Sequence, residues 1–390
     1  MTIDVWARRP VFTDDHEAFR EAVRTFVHRH IEPNIQRWEE ERLVPREPWI
    51  EAGRQGFLGI SVPEEYGGSG NNDYWFRCVA IEEFARVGAT SVAAGFGTHV
   101  DVVLPYFIDL TAPEQATRWL PGLASGNLIG AIAMTEPGAG SDLQGMRTTA
   151  RRDGDEWVIN GTKTFITNGI QADLVIVAAR TNPNAGSRGI SLLVVERGTP
   201  GFERGRKLRK IGLHGQDTAE LIFTDARVPA QNLLGEEGMG MVYLMQRLPR
   251  ERLSIAVTGV ASARAALGWT IDYITDRTAF GKRIADFQNS QFVMAEMLTE
   301  IEVTQAYIDD SVHKLNRGEL TAVDAAKAKW WATEMHKRVV DRCVQLHGGY
   351  GYMEEYRIAR AYADTRVTTI YGGTSEIMKL IIARDMFGRS

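Results

Sequence analysis

The spacing of apolar residues changes twice along this chain of 390 residues, and the order of those periods limits the folds open to it. In the first third, apolar residues recur at helical spacing, at Phe19, Val23, Phe26, Val27 and Ile31. Thr13 precedes this run and is followed by Asp14 and Asp15, which is typical of a helix N-terminus. A second helical pattern covers residues 74–87. We therefore predict a helical first third.

The period shortens near Leu128. Short β-rich runs, separated by Gly, Asn and Pro turns, occupy residues 156–160, 163–167, 174–179, 190–195 and 220–224. The first two runs flank Gly161, and this arrangement predicts a hairpin that turns at Gly161. Because no helical pattern lies between the runs, we predict a small antiparallel sandwich or barrel.

From about Gly238 long helical patterns return, at residues 241–276, 289–316, 321–346 and from Thr374 onward. Glycines interrupt them at Gly318, Gly348 and Gly349, which predicts an antiparallel bundle. The predicted fold is mainly α with a central β-domain. Its three parts are an N-terminal helical domain over residues 1–127, a middle β-barrel domain over 128–236 and a C-terminal four-helix bundle domain over 237–390.

Charge and cysteine content argue against several classes of function. The formal net charge of −5 gives no bulk basic field for nucleic acid or an anionic membrane. The basic run at residues 206–210 could attract a phosphorylated ligand, although such runs are more often solvated faces. Cys78 and Cys343 form no CxxC pair, so we expect neither a disulfide framework nor a thiolate metal site.

The sequence predicts no targeting or membrane segment. The N-terminus carries acidic residues and lacks the apolar core of a signal peptide. The longest uncharged stretch, residues 119–135, is broken by Pro121 and by Gly122 and Gly126, and it is too short for a spanning helix. We therefore expect a cytoplasmic protein without a membrane span.

Motifs of several common enzyme classes are absent. The chain has no GxGxxG string that opens a helix, no P-loop, no HExxH pair and no GxSxG elbow. Dinucleotide enzymes of the Rossmann type, P-loop kinases, metal hydrolases and serine hydrolases therefore lose their main support. We expect no metal site.

Two longer strings carry the chemistry. Residues 133–142 have the sequence AMTEPGAGSD, a turn of small residues whose backbone N–H groups can approach a planar or anionic ligand closely. Residues 345–352 read QLHGGYGY and are followed by Glu355, Arg360 and Asp364. Between and after them lie TFITNG at 164–169, GLHGQDT at 212–218, RTAFGK at 277–282 and YGGTSE at 371–376.

In this order and over essentially the whole chain, these strings resemble the acyl-CoA dehydrogenase family. The resemblance implies a helical domain, a β-domain and a four-helix bundle, assembled as a homotetramer or less often a dimer. It implies FAD held between the β-domain and the bundle, with its adenine end gripped by a neighbouring subunit. It also implies an acyl-CoA substrate and an electron-transfer flavoprotein as the electron acceptor.

The resemblance assigns site residues by position. Residues implied for the isoalloxazine and its surroundings are Met134, Thr135, Ser141, Phe165, Thr167, Thr374 and Glu376. Residues implied for the pyrophosphate and adenine of a partner's FAD are Arg277, Phe280, Gln288, Gln345, Leu346, His347, Gly348 and Gly349. Arg277 suits this role, since a guanidinium pairs with phosphate oxygens at two points. Residues implied for substrate are Ser141, Arg252, Tyr371, Gly372 and Gly373.

The base that removes the α-proton should be a carboxylate in an apolar pocket, because burial raises its pKa toward neutrality. The family carries this glutamate in one of two places. The place before the last helix holds Gly372 in this chain. The other place falls in LPRERL at residues 248–253 and supplies Glu251, as in long-chain and isovaleryl members.

Other interpretations of these acids stay open at this point. Glu251 could be a solvated helix residue paired with Arg247, Arg250 or Arg252, and Glu376 and Glu136 compete with it for the catalytic role. The favoured prediction is FAD-dependent α,β-dehydrogenation of a fatty acyl-CoA to the trans-2-enoyl-CoA. We expect Gly372 to open space for long or branched acyl groups. The alternatives are a flavin oxidase of the same fold, although such oxidases are commonly longer chains, and a non-catalytic flavin or acyl-carrier scaffold.

Overall fold

The computed structural model describes residues 4–388, and its first part is helical as predicted. Thr13 caps the first helix, since its hydroxyl accepts from the backbone N–H of His16, and acidic residues fill the first turn. Later helices begin at prolines or after short turns. The helices are α1 (Asp14–Phe26), α2 (Ile35–Glu41), α3 (Glu47–Arg54), α4 (Trp75–Arg86), α5 (Thr90–Gly97), α6 (Leu104–Leu110) and α7 (Pro113–Ala124).

Helices α5 and α6 are joined without a break by a π-helical segment, Thr98–Val103. Among residues 4–388, the resulting rod Thr90–Leu110 is the one helix long and apolar enough to cross a membrane, by length and composition only. However, 67% of its apolar window is buried in the molecule, and its Asp101 is paired at 2.7 Å with the buried Arg77. These are the properties of a core helix.

The middle of the chain forms an eight-stranded sheet in the order β6-β7-β3-β2-β4-β5-β8, with β1 beside β4. The strands are β1 (Gly130–Ala133), β2 (Thr149–Asp153), β3 (Glu156–Thr167), β4 (Leu174–Arg180), β5 (Ile190–Glu196), β6 (Phe202–Lys207), β7 (Thr218–Pro229) and β8 (Leu233–Leu234). The expectation of a purely antiparallel sheet is wrong, because β1 and β2 both pair parallel to β4. The β2–β3 hairpin lies between β1 and β4 in the chain and supplies the long connection that parallel neighbours need.

The hairpin predicted at Gly161 is also wrong. Strand β3 continues through this residue and pairs with β7 on both sides of it, with a register shift at Gly161. Gly161 has a φ of 150°, and a Cβ at this position would lie 2.5 Å from Oγ1 of Thr148. The glycine therefore permits a bulge and a close approach inside one strand. The actual turn joins β2 to β3 at Gly154, where φ is 60°.

The predicted helices of the last part are confirmed. Helix α8 (Gly240–Asp276) packs against α10 (Ala322–His347) through small buried residues such as Gly259 and Ala332. The other helices are α9 (Gln288–Asn316), α11 (Arg357–Thr365) and α12 (Ser375–Met386), and a two-residue hairpin of β9 (Thr278–Ala279) and β10 (Lys282–Arg283) follows α8. Helix α11 was not predicted from the sequence.

Candidate active site

Helix α8 places Glu251 in the interior of the protein. The residue is only 6% exposed, and its Oε1 accepts a hydrogen bond of 3.1 Å from the hydroxyl of Tyr106 on α6. Burial raises the pKa of Glu251 to about 7, although Tyr106, Arg252 and Arg247 each favour the charged form. Among the described residues it has no ion-pair partner within 4.0 Å, so the interpretation as a solvated, arginine-paired helix residue is wrong. A carboxyl with this pKa can accept a proton near neutral pH.

Two buried cations hold the glycine turn before α12. Nε of Arg252 donates to the Gly372 carbonyl at 3.2 Å, and Nζ of Lys329 on α10 donates to the Gly373 carbonyl at 2.7 Å. Both glycines have positive φ, 64° and 98°, a conformation that other residues rarely adopt. The turn is thus fixed at both carbonyls, which also fixes the direction of its backbone N–H groups.

The structure corrects the expected open space at Gly372. A Cβ on this glycine would lie 2.4 Å from Cδ1 of Ile255. Ile255 follows Glu251 by one turn of α8, and the end of its side chain lies against Gly372. Space at Gly372 gives no support for a preference for long or branched acyl groups.

The other two candidate acids are excluded as the buried base. Glu376 is exposed on the first turn of α12, where Thr374 caps the helix. Glu136 is buried but fully engaged: it accepts from Nζ of Lys163 at 2.8 Å and from the backbone N–H groups of Arg147 and Thr148. These donors lower its pKa to about 2 despite burial. Glu136 is therefore a structural counter-ion.

Met134 and Thr135, which directly follow β1, lie beside β3, the strand that carries Phe165 and Thr167. The backbone N–H of Thr164 donates to the Thr135 carbonyl at 2.9 Å, and the Thr135 hydroxyl donates back to the Thr164 carbonyl. Phe165 has a φ of 60° and is 69% exposed. An exposed aromatic ring held beside two backbone segments fits a planar ligand such as an isoalloxazine. Ser141 lies exposed in the loop between β1 and β2.

The remaining predicted cofactor residues gather at the opposite end of α8. Arg277 ends this helix, and its guanidinium lies 5.6 Å from the centre of the Tyr350 ring. The ring of His347 stacks on Tyr273 at 4.3 Å, beside the turn at Gly348 and Gly349. The same end carries the strongly exposed Phe280, the start of α9 at Gln288, and Gln345 and Leu346 at the end of α10. Arg277 follows Glu251 by 26 residues, about 39 Å along a helix.

Sequence reasoning missed three residues of the Glu251 site, namely Tyr106, Ile255 and Lys329. Tyr106 lies in an apolar helical run, where a phenol needs a hydrogen-bond partner, and that requirement was the available signal. Lys329 is fully buried, which no periodicity could reveal. No group of three or more metal-ligating side chains occurs in residues 4–388. Both cysteines are buried and unpaired there.

Comparison with known proteins defines the class. Models of the acyl-CoA dehydrogenase N-terminal, middle and C-terminal domains match residues 13–127, 131–226 and 238–387. The order of helices and sheet, together with these matches, defines an oxidoreductase that uses a flavin. The chain belongs to the acyl-CoA dehydrogenase family.

Individual relatives agree over nearly the whole length. The mitochondrial long-chain specific acyl-CoA dehydrogenase of Sus scrofa is 49% identical over 385 residues, 98% of this chain and 89% of the relative. The crystal structure of an acyl-CoA dehydrogenase from Geobacillus kaustophilus superposes with a TM-score of 0.95 at 50% identity, covering 97% of this chain and 100% of that one.

FAD is the cofactor of the family. A glutaryl-CoA dehydrogenase from Mycobacterium smegmatis in complex with FADH2 matches with a TM-score of 0.90 at 30% identity, covering 97% of this chain and 95% of that chain. In the present structure the exposed ring of Phe165 suits the flat flavin, and the guanidinium of Arg277 suits a pyrophosphate. The residues present thus fit this cofactor.

Proposed function

We propose that the protein oxidises a fatty acyl-CoA to the trans-2-enoyl-CoA, with Glu251 as the base. Glu251 takes the α-proton, the Cα–H electron pair becomes the new Cα=Cβ bond, and the β-hydrogen leaves with its electron pair. FAD, when bound, supplies the acceptor for that hydride. The observation that carries the proposal is the burial of Glu251, whose pKa of about 7 suits a base that works near neutral pH.

The glycine turn supplies the second requirement of this chemistry, polarisation of the thioester carbonyl. Negative charge develops on that oxygen as the α-proton leaves, and a fixed backbone N–H donor stabilises it. Arg252 and Lys329 fix the carbonyls of Gly372 and Gly373. We assign the donor role to the turn from Tyr371 to Gly373 and the contact with the flavin's far side to Thr374 and Glu376.

The carrier of the acyl group is proposed to be coenzyme A. A groove of about 340 Å³ lies between Ser187 and Arg188, in the turn before β5, and the first turns of α8, and Met241 and Met245 line it. Met245 precedes Glu251 by six residues, about 9 Å along the helix. Arg188 offers a cation for a phosphate, and the apolar floor suits a flexible arm. Ser141 is assigned to the same entrance.

We propose a long-chain or branched acyl group as substrate and an electron-transfer flavoprotein as acceptor. Support for the acyl group is the LPRERL string around Glu251 and the 49% identity with a relative named for long chains. The acceptor follows from the family resemblance. A cytoplasmic setting accords with two unpaired, buried cysteines in the described chain.

The assembly is proposed to be a homotetramer in which a neighbouring subunit completes each FAD site. Arg277 and Glu251 lie about 39 Å apart along one helix, and this separation supports their assignment to different active sites. Large apolar side chains near Arg277 are exposed in the single chain, including Phe280 (96%), Phe292 (58%) and Tyr352 (83%), and a partner surface would cover them.

We keep 1–127, 128–236 and 237–390 as the proposed domains.

The deciding experiment is anaerobic mixing of the purified flavoprotein with acyl-CoAs of graded length, followed by stopped-flow absorbance of the flavin. Glu251→Gln removes the basic oxygen with little change of volume, so we expect flavin reduction to slow by about 10²–10⁴-fold or more while substrate binding persists. Reduction at the wild-type rate would refute Glu251 as the base.

The rival functions give different results in the same experiment. Rapid reoxidation of the reduced enzyme by O₂, without need of an electron-transfer flavoprotein, would identify an oxidase. Failure of every acyl-CoA to bleach the wild-type flavin would identify a non-catalytic scaffold. A rate that falls as the chain lengthens would refute the long-chain assignment.

A further inference from the structure

We propose that Tyr106 is a positioning residue for Glu251: its hydroxyl holds one carboxylate oxygen so that the other faces the substrate. This inference rests on the proposed role of Glu251 as the base. The hydroxyl of Tyr106 donates to Oε1 of Glu251 at 3.1 Å, within the interior of the protein. No residue in the described range 4–388 hydrogen-bonds to Oε2 of Glu251, so that oxygen is free to take the α-proton.

The backbone directly before the helix of Tyr106 is π-helical. Tyr106 lies in the first turn of α6, directly after the π-helical segment Thr98–Val103. A π-helical turn inserts extra backbone and rotates the residues that follow it, and such segments often occur at functional sites. Tyr106 is fully buried, so its ring cannot leave its position without opening the core. The hydrogen bond joins residues 145 positions apart and links α6 to α8.

Arg247 on α8 contacts the phenol ring of Tyr106. Its guanidinium lies 4.9 Å from the centre of the Tyr106 ring and pairs at 2.9 Å with Asp109, one turn after Tyr106 on α6. Arg247 also precedes Glu251 by one turn of α8. The ring is therefore held between its own helix and the helix of the base. Burial raises the pKa of Tyr106 well above its usual value, so the phenol keeps its proton and remains a donor.

The charges around Glu251 come from three elements. Helix α8 contributes Arg247 and Arg252, α6 contributes Asp109, which neutralises Arg247, and α10 contributes Lys329 behind Arg252. Of the groups facing Glu251, Tyr106 alone hydrogen-bonds its carboxylate in the described chain. A donor to the ionised form favours that form. Loss of the hydroxyl should therefore raise the pKa of the base as well as loosen its orientation.

The test is the pH profile of flavin reduction by an acyl-CoA in the FAD-loaded variant Tyr106→Phe, which keeps the ring and its contact with Arg247. We expect the acid-side midpoint to move up by about one pH unit. At a pH where the base is fully ionised, we expect the rate to fall about tenfold through lost orientation. The matched control is Tyr243→Phe, which removes a second hydroxyl near Arg247 without touching Glu251 and should leave the profile unchanged.

The outcomes separate this inference from the function on which it rests. An unchanged or lowered midpoint in Tyr106→Phe would overturn the positioning role, as long as Glu251→Gln is slow. Wild-type flavin reduction in Glu251→Gln would overturn the base assignment and the positioning role together. Thermal unfolding of the two Tyr→Phe variants identifies a folding defect. In folded Tyr106→Phe, an upward shift of the pH midpoint of flavin reduction supports the proposal, because a purely structural role leaves that pH midpoint in place.

Discussion

Folding disfavours the ionised form of Glu251. In the folded protein burial raises its pKa from 4.5 to about 7, so between these pH values the folded state binds a proton that the unfolded chain has lost. The free energy of unfolding therefore falls as the pH rises through this window. Above pH 7 this loss of stability is complete. Stability is reduced at the residue whose chemistry the proposed reaction needs.

Replacing Glu251 by Gln should consequently stabilise the protein at high pH. The amide carries no charge, so Glu251→Gln avoids a deficit of about 3 kcal/mol at pH 8 and gains nearly nothing at pH 4.5. Thermal unfolding of the two FAD-loaded proteins across this range measures the difference. An equal gain at both ends of the range would show that the effect comes from packing and not from ionisation.

At the level of single residues, the sequence predicts which residue is the base but not which residues surround it in the fold. The LPRERL string and the glycine at residue 372 indicated Glu251 without any structure. Tyr106 and Lys329 could not be assigned, because their contacts join residues 145 and 44 positions apart in the chain. The space expected at Gly372 was wrong for the same reason: only the packed structure places Ile255 there.

At the level of secondary structure, helices were more predictable than strands. The bounds of α8, α9 and α10 lie within one residue of the predicted ones, because a long 3.6-residue period and a cap such as Thr321 are local signals. The prediction divided strand β3 at Gly161, because a glycine between two β-rich runs can indicate a turn as well as a bulge inside one strand. Its continuity depends on pairing with β7, which is not local.

The Lys163–Glu136 pair joins β3 to the loop after β1, and so fixes one wall of the proposed flavin site beside Phe165. Lys163 is fully buried and also donates to the Met134 carbonyl at 3.1 Å. Lys163→Met leaves the Glu136 charge buried without its partner, and we expect a loss of about 3–5 kcal/mol in stability together with weaker FAD binding. Thermal unfolding and FAD titration measure the two effects.

The matched control removes both charges. In Lys163→Met combined with Glu136→Gln no unpaired charge remains, so stability should recover toward wild type. A double variant as unstable as Lys163→Met alone would show that the methylene packing of Lys163, and not the ion pair, holds the wall.

At the scale of the whole molecule, helix α8 carries the proposed base in its first half, and the arginine proposed to bind the FAD pyrophosphate, Arg277, follows its last residue. Because the helix holds the two residues about 39 Å apart, we propose that they contact FAD molecules of different active sites. Two chains packed so that the Arg277 end of one meets the Glu251 end of the other would complete two sites at once, as an isologous interface does. In this proposed arrangement each active site depends on two copies of the chain.

Mixed oligomers test this dependence directly. Glu251→Gln abolishes the base but leaves Arg277, whereas Arg277→Met weakens the grip on FAD but leaves Glu251. If Arg277 acts on a neighbour's FAD, a pair with one chain of each variant contains one intact site, and random assembly makes about a quarter of all sites intact. Co-expressed variants should therefore reduce more flavin per FAD site than the same two proteins expressed separately and mixed without subunit exchange. If co-expression restores nothing while sedimentation shows mixed oligomers, Arg277 does not serve a neighbour's site, and the shared-site arrangement is wrong.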